Sequence, residues 1–366
     1  MKLLIQPGDG PEALLSGIRN AKKTIEIAIF RFDRAEIEAG LKAAVSRGVA
    51  VSALIAYTNR GGEINLRKLE MRLLAVGVAV SRTADDLVRY HDKLMIIDRR
   101  LLYVLSFNFT HLDIDHSRGF GIVTRNIRFI HEAVKLFEAD TKRTPYTPTL
   151  DTFVVSPANA RKRLSEFIRK ARKELLIYDP KIADAEMLGA ITERAKAGVA
   201  VKVIGSVSKQ HPGLDVRNLA GLRLHTRTII RDRREAFVGS QSLRMAELDS
   251  RREVGVIVRE PKVVNGIIKT FEADWAMSAV SENQQQHHQH QQSEANLKDI
   301  KKGVKDLVKE LSPLNPIVKE ALKEAVTDAE STNLNMQEVK ETVKEAVKEA
   351  VRERVEEMVK ESLEAS

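Results

Sequence analysis

The 366-residue sequence contains no cysteine, which excludes disulfides, thiolate nucleophiles and cysteine-ligated metals. It also lacks an uncharged apolar stretch of about 18 residues, so we expect no membrane-spanning helix. The apolar run at the N-terminus is too short for a signal peptide, since Pro7 follows it almost at once. These absences predict a soluble, cytoplasmic protein, and they leave peripheral contact with a membrane open.

The charge is unevenly distributed along the chain. The net charge is +9, but residues 294–366 carry 13 basic and 17 acidic side chains. The preceding part therefore holds 47 basic and 34 acidic side chains, a balance of +13. Such an excess attracts polyanions, either nucleic acid or anionic lipid headgroups, although it also serves general solubility.

Two stretches of similar sequence, beginning at Ala21 and at Ala171, indicate an internal repeat. Each has a β-branched run, a segment with helical periodicity and a Gly-Val-Ala-Val strand, which is typical of parallel βαβ units. The offset is 150 residues here and 134 farther along, because the first copy has 16 extra residues between Ile55 and His91, including a predicted helix, LRKLEMRLLA. We therefore expect an α/β fold of two similar halves, each a mostly parallel sheet flanked by helices, that meet about a pseudo-twofold axis.

Composition divides the chain into four segments. The first half is predicted over residues 1–143 and the second over 152–279, and each ends with a helix. Residues 280–294 contain QQQHHQHQQ, which has no core-forming side chains and predicts a linker. Residues 295–366 are rich in Lys, Glu, Val and Ala, which predicts a charged amphipathic helical tail.

Two features of the C-terminal part leave alternatives open. His287, His288 and His290 could bind a metal ion, or they belong to a solvated polar tract. Valine recurs at every fourth position from Val339 to Val359, a stripe that winds around a helix and does not form a heptad seam. The tail could self-associate, bind a partner or a membrane surface, or remain a solvated helix of marginal stability.

One short motif, H-x-K/R-x4-D, occurs once in each half. Its copies comprise, in order, His91, Lys93 and Asp98, and then His225, Arg227 and Asp232. Residues two apart in a strand share a face, so each histidine and the following cation should project together. The aspartates lie an odd number of residues from the histidines, and we expect them to be turn or scaffold carboxylates and not acid–base groups.

Further positions match at equal distances from the two histidines. At 15, 17 and 28 residues after each histidine stand the pairs Ser106 and Ser240, Asn108 and Ser242, and Gly119 and Glu253. A single three-residue motif is weak evidence, because it arises readily by chance. Two copies with equal offsets inside a repeated frame are a much stronger signal.

This pattern resembles the phospholipase D superfamily over about residues 1–277. The resemblance implies one active site shared by both halves, phosphodiester cleavage through a phosphohistidine intermediate, and no cofactor or metal. The sequence departs from the family pattern at Leu105, Gly119, Arg227 and Ser242, where the family has glycine, an acidic residue, lysine and asparagine. Because these losses fall on different halves, one composite site would still contain every kind of group.

The residue types suit the cleavage of an anionic phosphodiester. Lys93 and Arg227 would offset negative charge on the phosphoryl oxygens. Ser106, Asn108 and Ser240 would bind the substrate as neutral donors. The sequence beside these motifs has no acidic cluster of the kind that would indicate a two-metal site.

An imidazole can be the nucleophile in one motif and the proton donor in the other. We predict that His91 is the nucleophile, because its half keeps Lys93 and Asn108. His225 is then the acid that protonates the departing alcohol. Glu253 would accept a hydrogen bond from one of the two imidazoles and raise its basicity, and the alternative is a surface salt bridge with a neighbouring arginine.

Three functions remain to be distinguished. We favour hydrolysis or transfer at phospholipid phosphodiesters, as in phospholipase D or cardiolipin synthase. Hydrolysis is preferred, because many cardiolipin synthases carry membrane-spanning segments that this sequence lacks. The first alternative is a metal-independent nuclease acting on DNA or RNA, which suits the basic charge. The second is a degenerate site that binds anionic lipid or DNA without turnover, given Arg227, Ser242 and Gly119.

Overall fold

The structure is a computed structural model that describes residues 1–57, 63–208 and 213–278. Met1–Ala279 forms one compact unit, so the two predicted halves pack together within it. The predicted linker (280–294) and helical tail (295–366) lie outside the described residues, and so do the three histidines of the linker.

The first half alternates strands and helices in the order that the repeat predicts. Its strands are β1 (Lys2–Gln6), β2 (Thr24–Ala28), β3 (Ala50–Ile55), β4 (Ala79–Arg82), β5 (Arg89–Tyr90), β6 (Leu94–Ile97), β7 (Leu101–Leu105) and β8 (Ser117–Thr124). Its helices are α1 (Glu12–Asn20), α2 (Ala35–Ser46), α3 (Glu63–Ala75), α4 (His111–Asp115) and α5 (Ile127–Lys142). The extra segment of this half thus contains the predicted helix.

The second half repeats this order without a counterpart of α3 among its described residues. Its strands are β9 (Phe153–Ser156), β10 (Glu174–Ile182), β11 (Ala200–Val207), β12 (Leu214–Arg217), β13 (Arg223–Leu224), β14 (Arg227–Arg231), β15 (Glu235–Gly239) and β16 (Arg251–Val258). Its helices are α6 (Ala160–Arg169), α7 (Ala185–Lys196), α8 (Met245–Asp249) and α9, which covers residues 261–278. The prediction of an α/β fold with two similar halves is confirmed.

The sheets are mixed and not mostly parallel, which corrects the prediction. In the first half the strand order is β1-β8-β7-β6-β2-β3-β4, and only the pairs β2–β3 and β3–β4 in this row are parallel. In the second half the row is β12-β11-β10-β14-β15-β16-β5. Helical crossovers join parallel strands, whereas the tight hairpins after each motif force antiparallel pairing. The repeated βαβ unit therefore supplies only the strands at one end of each sheet.

The two halves exchange short strands beside the motifs. β5, which immediately precedes His91, pairs with β16 of the second half. In the equivalent way β13, which immediately precedes His225, pairs with β8 of the first half. Each histidine is therefore positioned by a strand of the opposite half, and the two motifs lie at the junction.

A continuous apolar core joins the two halves. The amphipathic helices α5 and α9 contribute a large part of it, with α5 capped at its N-terminus by the Asn126 side chain, which accepts from Arg128 N at 3.0 Å. The inner faces of strands from both sheets complete this core. Its largest fully buried side chains are Phe120, Phe153, Tyr178 and Phe271. In the part of the chain that the structure describes, every helix is too short or too polar to cross a lipid bilayer.

Candidate active site

The backbone of each histidine is hydrogen-bonded to the opposite half. His91 N donates to Arg252 O at 2.8 Å, and His225 N donates to Arg118 O at 3.1 Å. His91 and Lys93 lie in the segment before β6, so the prediction that they belong to a strand is wrong. The strand exchange thus fixes where the two imidazoles meet, although each motif belongs to a different half.

The imidazole of His91 is held by a carboxylate of the second half. Its Nδ1 lies 3.0 Å from each carboxylate oxygen of Glu253, which is fully buried. The ring of Phe30 packs against the imidazole, with centroids 4.9 Å apart. Glu253 therefore contacts the histidine of the other half, which is one of the two imidazoles that the sequence left open. The alternative salt bridge is wrong, because Arg251 and Arg252 pair with other carboxylates.

Lys93 lies directly beside the His91 ring. Its Nζ is 3.1 Å from Nε2 and 3.2 Å from Nδ1, and it donates to His91 O at 2.8 Å. The lysine is 1% exposed, which makes it one of the largest fully buried side chains. A cation so close to Nε2 would also reach the oxygens of any phosphorus atom that Nε2 attacks.

His225 has a carboxylate partner that the sequence argument missed. Its Nδ1 lies 3.4 Å from Asp113 Oδ2, a residue of α4 in the first half. That oxygen also accepts from Asn108 N and Nδ2, both at 2.7 Å, and Oδ1 accepts from Arg223 Nη1 at 2.8 Å. A signal for Asp113 exists in the sequence, because an acid stands 22 residues after each histidine, at Asp113 and Glu247.

The electrostatic surroundings keep both imidazoles neutral. Burial, and then Lys93 and Arg227, hold the pKa of His91 well below its usual range. Burial does the same for the pKa of His225, where Asp113 opposes the shift and Arg223 adds to it. The cation of each motif lowers the pKa of the histidine in the other motif, since Arg227 acts on His91 and Lys93 acts on His225. This mutual effect supports a single site that contains both histidines.

Two further groups of the site titrate near neutrality. Burial lowers the pKa of Lys93 to about 7, against the attraction of Glu253. Burial and the neighbouring Glu247 raise the pKa of Glu253 to about 8. Loss of the Glu253 proton leaves a carboxylate that accepts a hydrogen bond from Nδ1–H of His91. The lone pair of Nε2 then faces Lys93 Nζ at 3.1 Å.

The predicted neutral donors lie around the histidines but mainly contact protein atoms. Ser106 Oγ accepts from Phe120 N at 2.9 Å, and Ser240 Oγ accepts from Val254 N at 3.1 Å. Both serines are fully buried, so a role in substrate binding stays a prediction. Asn108 donates Nδ2 to the carboxylate of α4, and its buried Oδ1 has no hydrogen-bond partner in the structure.

The second half has Ser242 in place of the asparagine, and this serine is hydrogen-bonded to a different carboxylate. Ser242 Oγ hydrogen-bonds the buried carboxylate of Asp179, which also accepts from Leu243 N at 2.7 Å. Ser242 therefore does not replace Asn108 as a donor beside the histidines. The asparagine of the composite site therefore comes from the first half alone.

Asp98 and Asp232 lie in equivalent turns, away from the imidazoles. Asp98 accepts from the backbone N–H groups of Lys22, Lys23 and Thr24, at distances from 2.6 to 3.1 Å. Asp232 accepts from three equivalent backbone groups at residues 172–174. Both aspartates adopt positive φ, 52° and 51°. Their carboxylates thus join a turn to the start of a neighbouring strand.

Metal ligands are not grouped in the described part of the molecule. Within residues 1–57, 63–208 and 213–278, no three acidic or histidine side chains are arranged to hold a metal ion. Of the carboxylates nearest the imidazoles, Glu253 is hydrogen-bonded to His91, and Asp113 lies 3.4 Å from His225 Nδ1 and accepts from Asn108 N. This donor set suits hydrogen bonding to imidazole.

The mixed α/β halves and the paired histidine motifs define a protein of the phospholipase D superfamily. The chain belongs to the family described as cardiolipin synthase, PLD-like domain, whose model matches residues 14–141 and 164–275. The resemblance inferred from the motifs is confirmed. Family membership indicates phosphoryl-transfer chemistry and leaves the substrate open.

Solved structures share this fold. Polyphosphate kinase from Porphyromonas gingivalis aligns with a TM-score of 0.62 and 19% identity, over 75% of this chain and 50% of the kinase. The chain thus spans about half the length of that protein. Phosphatidylserine synthase from Haemophilus influenzae Rd KW20 aligns with a TM-score of 0.59 and 11% identity, over 75% of this chain and 86% of the synthase. Among curated proteins, none matches the sequence significantly.

Proposed function

We propose that this protein cleaves or transfers phospholipid phosphodiesters through a covalent phosphohistidine intermediate on His91. The observation that supports this most directly is the pairing of each Nδ1 with a carboxylate of the opposite half, by Glu253 at His91 and by Asp113 at His225. A carboxylate at Nδ1 orients an imidazole and leaves Nε2 to act on the substrate. Two imidazoles oriented in this way supply a nucleophile and an acid.

His91 is the nucleophile in this proposal. Its Nε2 attacks phosphorus, a P–N bond forms, and the bond from phosphorus to the leaving oxygen breaks. Lys93 lies 3.1 Å from Nε2 and offsets charge on the phosphoryl oxygens, together with Arg227. The depressed pKa of His91 keeps its ring unprotonated, which nucleophilic attack requires.

His225 is the acid in this proposal. Its Nε2 gives a proton to the departing alkoxide, and then accepts a proton from the water or alcohol that attacks the phosphohistidine. That attack breaks the P–N bond and restores His91. An anionic phosphoryl group beside His225 raises the pKa of the imidazole, and the ionised Asp113 acts in the same direction. The free site therefore has two neutral imidazoles, and substrate makes one of them an acid.

The family description and the aligned phosphatidylserine synthase support a phospholipid substrate. The charge of the site supports an anionic diester, since Lys93, Arg227, Arg89 and Arg223 all act electrostatically on one histidine or the other. The second candidate function is a nuclease. It is favoured by the balance of +13 over the first 293 residues, because a nucleic acid is bound along many phosphates.

The test is turnover by the wild-type protein and two histidine variants, on vesicles of phosphatidylcholine, phosphatidylglycerol or cardiolipin, and on single- and double-stranded DNA. A nitrophenyl phosphodiester is included, because nitrophenolate departs without an acid. We expect His225→Ala to lose about 10²–10⁴-fold on natural alkyl esters, to lose far less on the nitrophenyl ester, and to accumulate a covalent adduct. His91→Ala should be inactive on both and form no adduct.

The matched control is His131→Ala, because His131 is exposed on α5. It should behave as the wild type on every substrate. Turnover of DNA without turnover of vesicles would favour the nuclease. An adduct on His225 together with nitrophenyl activity in His91→Ala would reverse the two histidine roles, and binding without turnover would contradict the proposal.

A further inference from the structure

The two halves differ at the position from which an acid reaches the opposite histidine. In the second half, Glu253 extends from β16 to His91. The equivalent position on β8 is Gly119, 134 residues earlier, and it has no side chain. The carboxylate that serves His91 therefore has no counterpart for His225 at the same place in the fold.

An aromatic ring occupies the space beside Gly119. A Cβ atom built on this glycine would lie 2.9 Å from Phe107 Cδ1 and 3.2 Å from Phe107 Cβ, closer than normal contacts. Phe107 is fully buried. In the second half its equivalent is Gln241, whose side chain donates to Val154 O at 3.0 Å. The first half thus has glycine and phenylalanine where the second half has glutamate and glutamine.

Asp113 reaches His225 from a different element. Its side chain is 4% exposed, and one oxygen lies 3.4 Å from His225 Nδ1. Burial alone would raise the pKa of Asp113, but His225, Arg223 and the Asn108 hydrogen bonds outweigh it and hold the pKa well below the usual range. The group is therefore ionised at neutral pH, as an acceptor for an imidazole N–H must be.

The equivalent residue of the second half separates this contact from a purely structural one. Glu247 accepts from Ser242 N at 2.7 Å, just as Asp113 accepts from Asn108 N. Its other oxygen accepts from Arg244 at 2.7 Å and Arg251 at 3.3 Å. Each acid therefore stabilises the equivalent loop of its own half. The contact with a histidine is the additional feature of Asp113.

We infer that Asp113 is the positioning residue for His225 and replaces, from α4, the acid that is absent at Gly119. Its carboxylate fixes the ring with Nδ1 protonated, and so directs Nε2 to the leaving oxygen. This inference rests on the proposed function, in which His225 is the acid. It implies that the first half, which has no acid at Gly119, still places a carboxylate 3.4 Å from the buried Nδ1 of His225, an atom with no hydrogen-bond partner in this structure.

The experiment introduces a carboxylate on β8 by substitution and removes the carboxylate on α4. The variants are Asp113→Ala, Asp113→Asn, the double variant Phe107→Gln/Gly119→Glu, and the triple variant that combines the double variant with Asp113→Ala. The double variant gives the first half the residues of Gln241 and Glu253. Rates are measured on an alkyl and on a nitrophenyl phosphodiester, and folding is checked by thermal unfolding.

We expect Asp113→Ala to slow the alkyl substrate by about 10–100-fold, the effect that is typical when a group that orients a metal-bound histidine is removed, and to affect the nitrophenyl substrate much less. The triple variant should recover at least about tenfold on the alkyl substrate. Glu247→Ala is the matched control for bracing of the loop, and it should slow both substrates by the same factor.

A second readout does not depend on turnover. Asp113→Asn keeps an oxygen that can accept from Asn108 but removes the negative charge, so the pKa of His225 measured by NMR titration should fall. If the wild type turns over neither ester, the proposed function fails, while the titration still tests the contact. Equal slowing of both substrates by Asp113→Ala, no recovery in the triple variant, or an unchanged titration of His225 in Asp113→Asn would each overturn the inference.

Discussion

The buried lysine of the first motif should make activity depend on pH in a way that arginine cannot. Burial lowers the pKa of Lys93 to about 7, so the lysine is cationic below that pH and neutral above it. From that value, the cationic fraction falls from about 91% at pH 6 to about 9% at pH 8. If only the cationic form binds the phosphoryl oxygens, kcat/KM falls about tenfold over this interval.

The assay is steady-state cleavage of a nitrophenyl phosphodiester at constant ionic strength, since the substrate does not titrate in this range and its leaving group needs no acid. kcat/KM reports the free enzyme, for which the pKa of Lys93 applies. In Lys93→Arg the charge is permanent, so the decline between pH 6 and pH 8 should disappear, even if the longer guanidinium lowers the rate throughout. Glu253 and the histidines are unchanged, so any remaining dependence belongs to them.

The reciprocal variant provides the control. Arg227→Lys places a second titratable cation at the equivalent position of the other motif, and the decline above neutral pH should become steeper. A profile that is the same in Lys93→Arg as in the wild type would refute the reasoning. In that case Lys93 would not be the group that loses charge, and Glu253 would be the first alternative.

Two further predictions concern the scaffold and the absence of metal chemistry. Asp98→Ala and Asp232→Ala should each lower the free energy of unfolding by about 2 kcal/mol at neutral pH, because each leaves three backbone N–H groups without a charged acceptor. Since the pKa of each aspartate is lowered in the folded state, this difference should shrink as pH falls below about 4, and equal stability of variant and wild type at pH 7 in denaturant titrations would contradict it. Activity should survive dialysis against EDTA, and a complete loss that a divalent ion restores would show that a metal takes part.

Local residue patterns specify the helices and strands of this fold, whereas the pairing of distant strands depends on long-range contacts. The repeat and the two motifs predicted an α/β fold with two halves, because strand and helix periodicities are written in neighbouring residues. The relative direction of neighbouring strands within each sheet was predicted less well. A βαβ pattern specifies the parallel pairs β2–β3 and β10–β11, while the hairpins that follow make the rest of each row antiparallel.

The sequence by itself determined which residue types the composite site contains, since the losses at Gly119 and Ser242 fall on opposite halves. Only the tertiary structure decided which carboxylate serves which histidine. Glu253 and His91 are 162 residues apart, and their contact follows from the pairing of β5 with β16. Asp113 reaches His225 in the same way, across the pairing of β13 with β8. Such contacts depend on how the halves exchange strands, which no local pattern encodes.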